Sequence, residues 1–144
     1  MVSGFYGLLC PNDGVVQYRL GMGDRLRVGT AKNLYQFWGD RLARQLATES
    51  QLVLNLASNE YSKAITAYPQ PGLRIVTCRF GRLHDGHFRQ VTTRAKMARG
   101  QMVRFLAEQA ATSLATVKQF HELGFAYDKQ RSTDDQLVFI EHRQ

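Results

Sequence analysis

The feature that most constrains the fold is Asp85-Gly86, set between strand-like runs at residues 73–80 and 87–93. Asp-Gly is a favoured pair for a two-residue hairpin, because both central positions of that turn need positive φ. A helical pattern follows at once. Thr92 or Thr93 is placed to cap a helix over residues 94–111, with Ala95, Ala98, Met102, Phe105 and Leu106 as its core face.

The rest of the chain reads as shorter elements around this unit. Residues 4–14 are glycine-punctuated and apolar at Phe5, Tyr6, Leu8 and Leu9, a buried turn or short strand ending at Pro11-Asn12-Asp13-Gly14. Residues 15–20 alternate as a strand, and Gly21-Met22-Gly23 breaks it. Asn33 is the N-cap candidate of a helix carrying Leu34, Phe37, Trp38, Arg41, Leu42, Gln45 and Leu46. Residues 51–56 read as an apolar strand, and Ser58 or Asn59 as the cap of a helix through Ile65. A turn at 69–72, a helix over 113–123 stopped by Gly124, and a strand over 137–141 complete the pattern. Alternating strands and helices predict a mixed α/β or α+β fold, a mixed sheet with packed helices. The length of 144 residues suits a single domain, and 44% hydrophobic residues suffice for a core.

Charge is concentrated. Residues 61–107 hold nine bases (Lys63, Arg74, Arg79, Arg82, Arg89, Arg94, Lys96, Arg99 and Arg104) against one acid, Asp85. That block is +8 in a chain of net charge +7. Such a patch draws polyanions by its field and by counterion release, unless it is simply a solvated basic face. No apolar run is long enough to span a membrane, and the N-terminus lacks the charged start of a signal peptide. A soluble, cytoplasmic protein with reduced, buried Cys10 and Cys78 is the expectation.

No standard catalytic or cofactor motif is present. Gly4-x-x-Gly7 has no phosphate-cradling lysine, and no Gly-x-Ser-x-Gly frames a serine. His84 and His87, with Asp85 between, lack further ligands and read as a polar turn, so no metal site and no cofactor are assigned. Asn55-Leu56-Ala57-Ser58-Asn59-Glu60-Tyr61 leads from an apolar strand into polar groups. It is either a helix cap or a ligand site in which Asn59 and Glu60 hydrogen-bond a ligand and Glu60 serves as acid or base if partly desolvated. On the basic helix, Lys96 and Arg99 at i, i+3 can hold one phosphate or two neighbouring ones, with Arg94 and Arg104 beside them. Gly100 costs roughly 1 kcal/mol in a helix interior and suggests close approach of another backbone or a ligand. Tyr35, Phe37 and Trp38 read as core anchors, with stacking on bases as the alternative.

Taken in order, several segments resemble the YaaA family, also called UPF0246 or DUF328. They are Ser3-Gly4-Phe5-Tyr6-Gly7-Leu8-Leu9, Tyr18-Arg19-Leu20, Asn33-Leu34-Tyr35-Gln36-Phe37-Trp38-Gly39-Asp40, Asn55 to Tyr61, and Ala95-Lys96-x-Ala98-Arg99-Gly100-x-Met102-x-Arg104-Phe105. The resemblance covers essentially the whole chain but only the C-terminal half of the family pattern. The family's Ser-Pro-Ala-Lys-type motif and its helix-hairpin-helix element have no counterpart here, so a truncated member is expected, with the N-terminal half as a possible partner in trans. The resemblance implies a cytoplasmic peroxide-stress protein that limits iron-dependent damage, with an α/β fold and a basic cleft for double-stranded DNA. It places Lys96, Arg99 and Arg104 on a helix lining that cleft, Asn59, Glu60 and Tyr61 at a strand end nearby, and Arg19 and Ser3 as weaker candidates. Two positions depart from the family pattern. Cys10 stands where an arginine is usual, and Gly21 where a glutamate is usual. An enzyme acting on a nucleotide or phosphorylated substrate, and a fragment without function, are the alternative readings.

Overall fold

The computed structural model describes residues 1–142. The chain divides into two compact units, Met1–Val53 with Ala57–Ile75, and Leu54–Leu56 with the chain from Val76 onward.

In the first unit, β1 (Val2–Ser3) and β2 (Gly7–Leu8) form a minimal antiparallel ladder with Val2 opposite Leu8. Gly7 has φ +77°, and a Cβ there would lie 2.8 Å from the Trp38 ring, so both backbone and space demand glycine. Residues 15–20, expected as a strand, form none. Val15 and Val16 are 53% and 68% exposed, and the Val16 N–H goes to the Tyr6 hydroxyl rather than to a neighbouring strand. Helix α1 (Leu34–Trp38) opens at Asn33, whose extended backbone and Oδ1, accepting the Gln36 N–H at 2.9 Å, make it the cap the sequence indicates. The single helix expected through Leu46 is two. Gly39 at φ +52° ends α1, and α2 (Arg41–Glu49) starts anew. Strand β3 (Leu52–Asn55), whose last two residues belong to the second unit, and helix α3 (Asn59–Thr66) follow. Ser58 precedes α3 in extended conformation without a side-chain capping bond. The core of this unit is Met22, Leu34, Leu42, Ala43, Ala64 and Ile65.

The second unit is more regular. Strand β4 (Arg74–His84), whose first two residues belong to the first unit, pairs antiparallel with β5 (His87–Arg89). Asp85 and Gly86 have φ of 52° and 76°, the two positive angles that the hairpin requires. Gly81 is a steric notch, since a Cβ there would lie 2.5 Å from the Arg89 carbonyl and 2.6 Å from the Phe88 ring. Helix α4 (Thr92–Glu108) begins two residues earlier than expected, with Val91 in the flanking position and neither threonine capping it. Helix α5 is only Leu114–Val117, followed by a 3₁₀ turn at Glu122–Gly124. The helix expected over 113–123 is cut short because i→i+3 bonds tighten the chain at Gln119 and Phe120. That turn buries Phe120 against Phe80, Phe105 and Phe139. Strand β6 (Phe125–Tyr127), unforeseen from sequence, and β7 (Gln136–Glu141) complete the fold.

The strand order is β3-β4-β7-β6, with β5 off β4. Strand β4 runs parallel to β7, with α4 in the crossover between them, and β6 is antiparallel to β7. The fold is therefore α/β with a mixed sheet. Phe80 stacks on Phe139 at 5.1 Å and meets Phe120 and Phe125 edge-on. Helix α4 closes this core with Ala95, Ala98, Met102 and Phe105, the face its periodicity indicates, while Leu106 is half-buried. Among the described residues no other backbone approaches Gly100. It is exposed, and a Cβ there would meet nothing within 4 Å. Cys78 is buried and its thiol is pushed up to about 12 by that burial, but Cys10 is exposed rather than buried.

Candidate functional site

The cations of α4 divide into two kinds. Lys96 is exposed, and among the described residues it has no acidic partner. Arg99, on the next turn, is half-buried. Its Nε is withdrawn from solvent and has no hydrogen-bond acceptor. Burial pulls the Arg99 pKa below its ordinary value, although a guanidinium remains charged at neutral pH. A partly desolvated cation that no carboxylate neutralises gains more from an arriving oxyanion than a fully hydrated one does.

Arg94 and Arg104 are already engaged. Arg94 Nε lies 2.6 Å from Glu141 Oε1, and its terminal nitrogen donates to the Leu123 carbonyl at 2.9 Å. Arg82 holds the other oxygen of Glu141 at 3.1 Å. The Glu141 side chain is only 9% exposed, so this triad is an internal lock joining β4, α4 and β7. Arg104 donates to Glu108 at 2.7 Å, a hydrogen bond that raises its pKa. It lines a polar pocket of about 200 Å³ with Gln101, Phe105, Glu108 and Glu122. Two carboxylates there oppose an anion. Lys96 and Arg99 thus remain as the unpaired cations on this helix.

The β4–β5 hairpin adds further positive charge. Arg79 lies over the Phe88 ring at 4.6 Å, and Arg89 is exposed, opposite Arg82. At its tip, His84 Nδ1 sits 2.9 Å from Asp85 Oδ2. Among the described residues no three His, Cys, Asp or Glu side chains converge as a metal site.

The remaining sequence candidates belong to the first unit, where most of them hold backbone. Asn59 and Glu60 are exposed in the first turn of α3. Glu60 Oε1 accepts the Gly23 N–H at 2.9 Å, and Asp24 Oδ2 accepts the Gly21 N–H at 2.8 Å, which pins the loop at residues 21–24. A Cβ on Gly21 would lie 3.1 Å from Glu60 Oε1, so the glycine at this position leaves room for the clamp. The Tyr35 hydroxyl donates to the Glu60 carbonyl at 3.0 Å. Burial first, then the charges of Glu60 and Tyr61, push the Tyr35 pKa up. Tyr61 packs half-buried against the core. Ser3 is buried, and its Oγ accepts the Phe5 and Tyr6 N–H groups at 3.1 and 2.9 Å and shares a hydrogen bond with the Tyr18 hydroxyl. Those bonds assign it to turn formation rather than nucleophilic chemistry. Arg19 is exposed. Trp38 anchors the fold through its ring and its N–H, which reaches the Gly4 carbonyl at 3.0 Å.

Two features escaped the sequence reading. One is Glu141, signalled only by a carboxylate closing the apolar run of β7. The other is the ring cluster of Phe5, Tyr6 and Tyr18, where the turn expected to be buried leaves Phe5 and Tyr18 exposed and Tyr6 half-buried.

The sequence model of the family described as "Peroxide stress protein YaaA" matches residues 1–131. The UPF0246 protein of Limosilactobacillus reuteri is 50% identical over 139 residues, 96% of this chain and 56% of the relative. The UPF0246 protein of Desulfitobacterium hafniense is 47% identical over 140 residues, 97% of this chain and 56% of the relative. The chain belongs to the peroxide stress protein YaaA family, and it spans a little over half the length of these curated relatives. No helix among the described residues is long and apolar enough to cross a membrane.

Proposed function

We propose that this chain binds double-stranded DNA through the basic face of α4, within a cytoplasmic peroxide-stress response that limits iron-dependent oxidative damage. The observation that carries the reading is Arg99, a partly desolvated guanidinium with an unpaired Nε, one helical turn from the unpaired Lys96. Both lie within a block of nine bases and one acid. Lys96 and Arg99 serve as phosphate contacts. Arg94 supports α4 through Glu141, and Arg104 is restrained by Glu108. Arg19, Asn59 and Tyr61 are secondary candidates on the first unit. The binding is electrostatic and indifferent to base sequence, because phosphate contacts position a protein without reading bases.

Fluorescence anisotropy with duplex DNA across a salt series tests this. Affinity falls steeply with salt, and Lys96→Glu with Arg99→Glu lowers the log–log slope by about two, near 0.9 for each phosphate no longer neutralised. An unchanged slope in the double variant rejects the assignment of the site. The alternative, acid–base chemistry by Glu60, gains nothing from the structure, because that carboxylate is bound to the Gly23 N–H.

A further inference from the structure

The first unit presents a rigid apolar patch to solvent. The Phe5, Tyr6 and Tyr18 rings meet pairwise at 4.9, 5.5 and 5.6 Å. Yet Phe5 is 56% exposed and Tyr18 39%. The patch continues into Val16, 68% exposed, whose N–H bonds to the Tyr6 hydroxyl at 3.2 Å, and into its neighbour Val15, 53% exposed. The rings are held in place. Ser3 Oγ takes two backbone N–H groups of this turn and the Tyr18 hydroxyl.

Single exposed apolar side chains are ordinary, but a contiguous, immobilised cluster marks a surface meant to be covered. Its chemistry narrows the occupant. Both tyrosine hydroxyls already have partners inside the unit, so the patch offers ring faces and valine methyls. Such a surface suits an apolar polypeptide face better than a charged strand. The relatives supply a specific occupant, since each carries a substantial stretch of chain beyond the part matched here.

We infer that the Phe5–Tyr6–Tyr18 patch, with Val15 and Val16, is the docking surface for the polypeptide that full-length members of the family carry beyond the length of this chain. The contact is apolar and independent of the α4 cations, so it stands or falls separately from DNA binding.

Hydrogen–deuterium exchange gives the test. The backbone of residues 12–20 is compared in this chain and at the aligned positions of the intact L. reuteri relative. Exchange is at least about tenfold slower in the relative, because a covered segment opens only with its partner. Hydroxyl-radical labelling of a chimera, this chain replacing the matching part of that relative, adds a side-chain readout. Phe5 and Tyr18 label less in the chimera than in this chain alone, and Phe5→Asp restores the labelling of Tyr18. Equal exchange in the two proteins overturns the inference whether or not the chimera folds. Protection in this chain that rises with its own concentration also overturns it, assigning the patch to a second copy, as does protection by single-stranded DNA.

Discussion

The two units are built on different principles. The second is held by periodic apolar packing: a parallel β4–β7 pair, one long helix, and a cluster of Phe80, Phe105, Phe120, Phe125 and Phe139. In the first, side chains satisfy backbone where regular elements are missing: Ser3 at Phe5 and Tyr6, Asn33 at Gln36, Trp38 at Gly4, Asp24 at Gly21 and Glu60 at Gly23. Polar residues that look chemical in the sequence are thus largely consumed as struts in one unit. In the other, the packed core carries the fold and leaves cations such as Lys96 and Arg99 unpaired. A polar motif points to function only after its backbone duties are subtracted.

The sharpest break of this contrast is Phe80→Ala. Phe80 is fully buried and touches three other phenylalanine rings. Truncation costs about 3–5 kcal/mol of stability, as removal of a buried aromatic from a core does. Urea unfolding followed by circular dichroism measures the loss. A cost under about 1 kcal/mol means that this cluster does not carry the second unit.

The same core predicts an alkaline weakness. The unfolded Cys78 thiol loses its proton near 9.0, whereas burial holds the folded thiol up to about 12. Between those values the unfolded state binds fewer protons, so stability is full below pH 9 and falls as pH rises toward 12. The slope approaches about 1.4 kcal/mol per pH unit for one such group. Stability curves of the parent chain and Cys78→Ala isolate it, the variant showing the flatter decline. Parallel curves mean that the buried thiol does not set the alkaline limit.

This contrast also explains what the sequence could show. The β4–β5 hairpin, the α4 core face and β7 were legible because period 2, period 3.6 and Asp-Gly are local signals that packing left intact. Asn33 was legible because capping is equally local. Residues 15–20 misled because alternating apolar residues mimic a strand, although no strand among the described residues pairs with them. The helix after Ser113 misled because Phe120 is drawn into the core, a tertiary demand that overrides propensity. Among the site residues, charge density singled out Lys96 and Arg99 with Arg94 and Arg104. Only geometry separates the first pair from the second, because Glu141 and Glu108 are the acids that occupy the latter.

Ser3→Ala sharpens the comparison from the other side. The substitution removes no large apolar surface, but it strands the Phe5 and Tyr6 N–H groups and the Tyr18 hydroxyl. The expected cost is about 0.5–1.5 kcal/mol, the net worth of hydrogen bonding where water can reach the released groups. The single tryptophan, Trp38, bonds to Gly4 in the same turn, so its fluorescence reports the change directly. A neutral Ser3→Ala means that hydrogen bonds do not hold this turn, and it weakens the rigidity argued for the Phe5 patch.

The smallest effect has the opposite sign. Gly100 in mid-α4 looked in the sequence like a residue kept for close approach, but a Cβ there enters open space. Gly100→Ala therefore gains helix propensity without a clash and stabilises the chain by about 0.5–1 kcal/mol. Duplex DNA binding separates two explanations for the glycine. If affinity is unchanged while the melting temperature rises, the glycine serves no contact, and the Lys96–Arg99 pair binds phosphate by charge alone. If affinity falls several-fold in a variant that is nonetheless more stable, a phosphate backbone approaches the helix closely at that notch. The two readouts then move in opposite directions, as they do for a residue kept for a ligand at the expense of its helix.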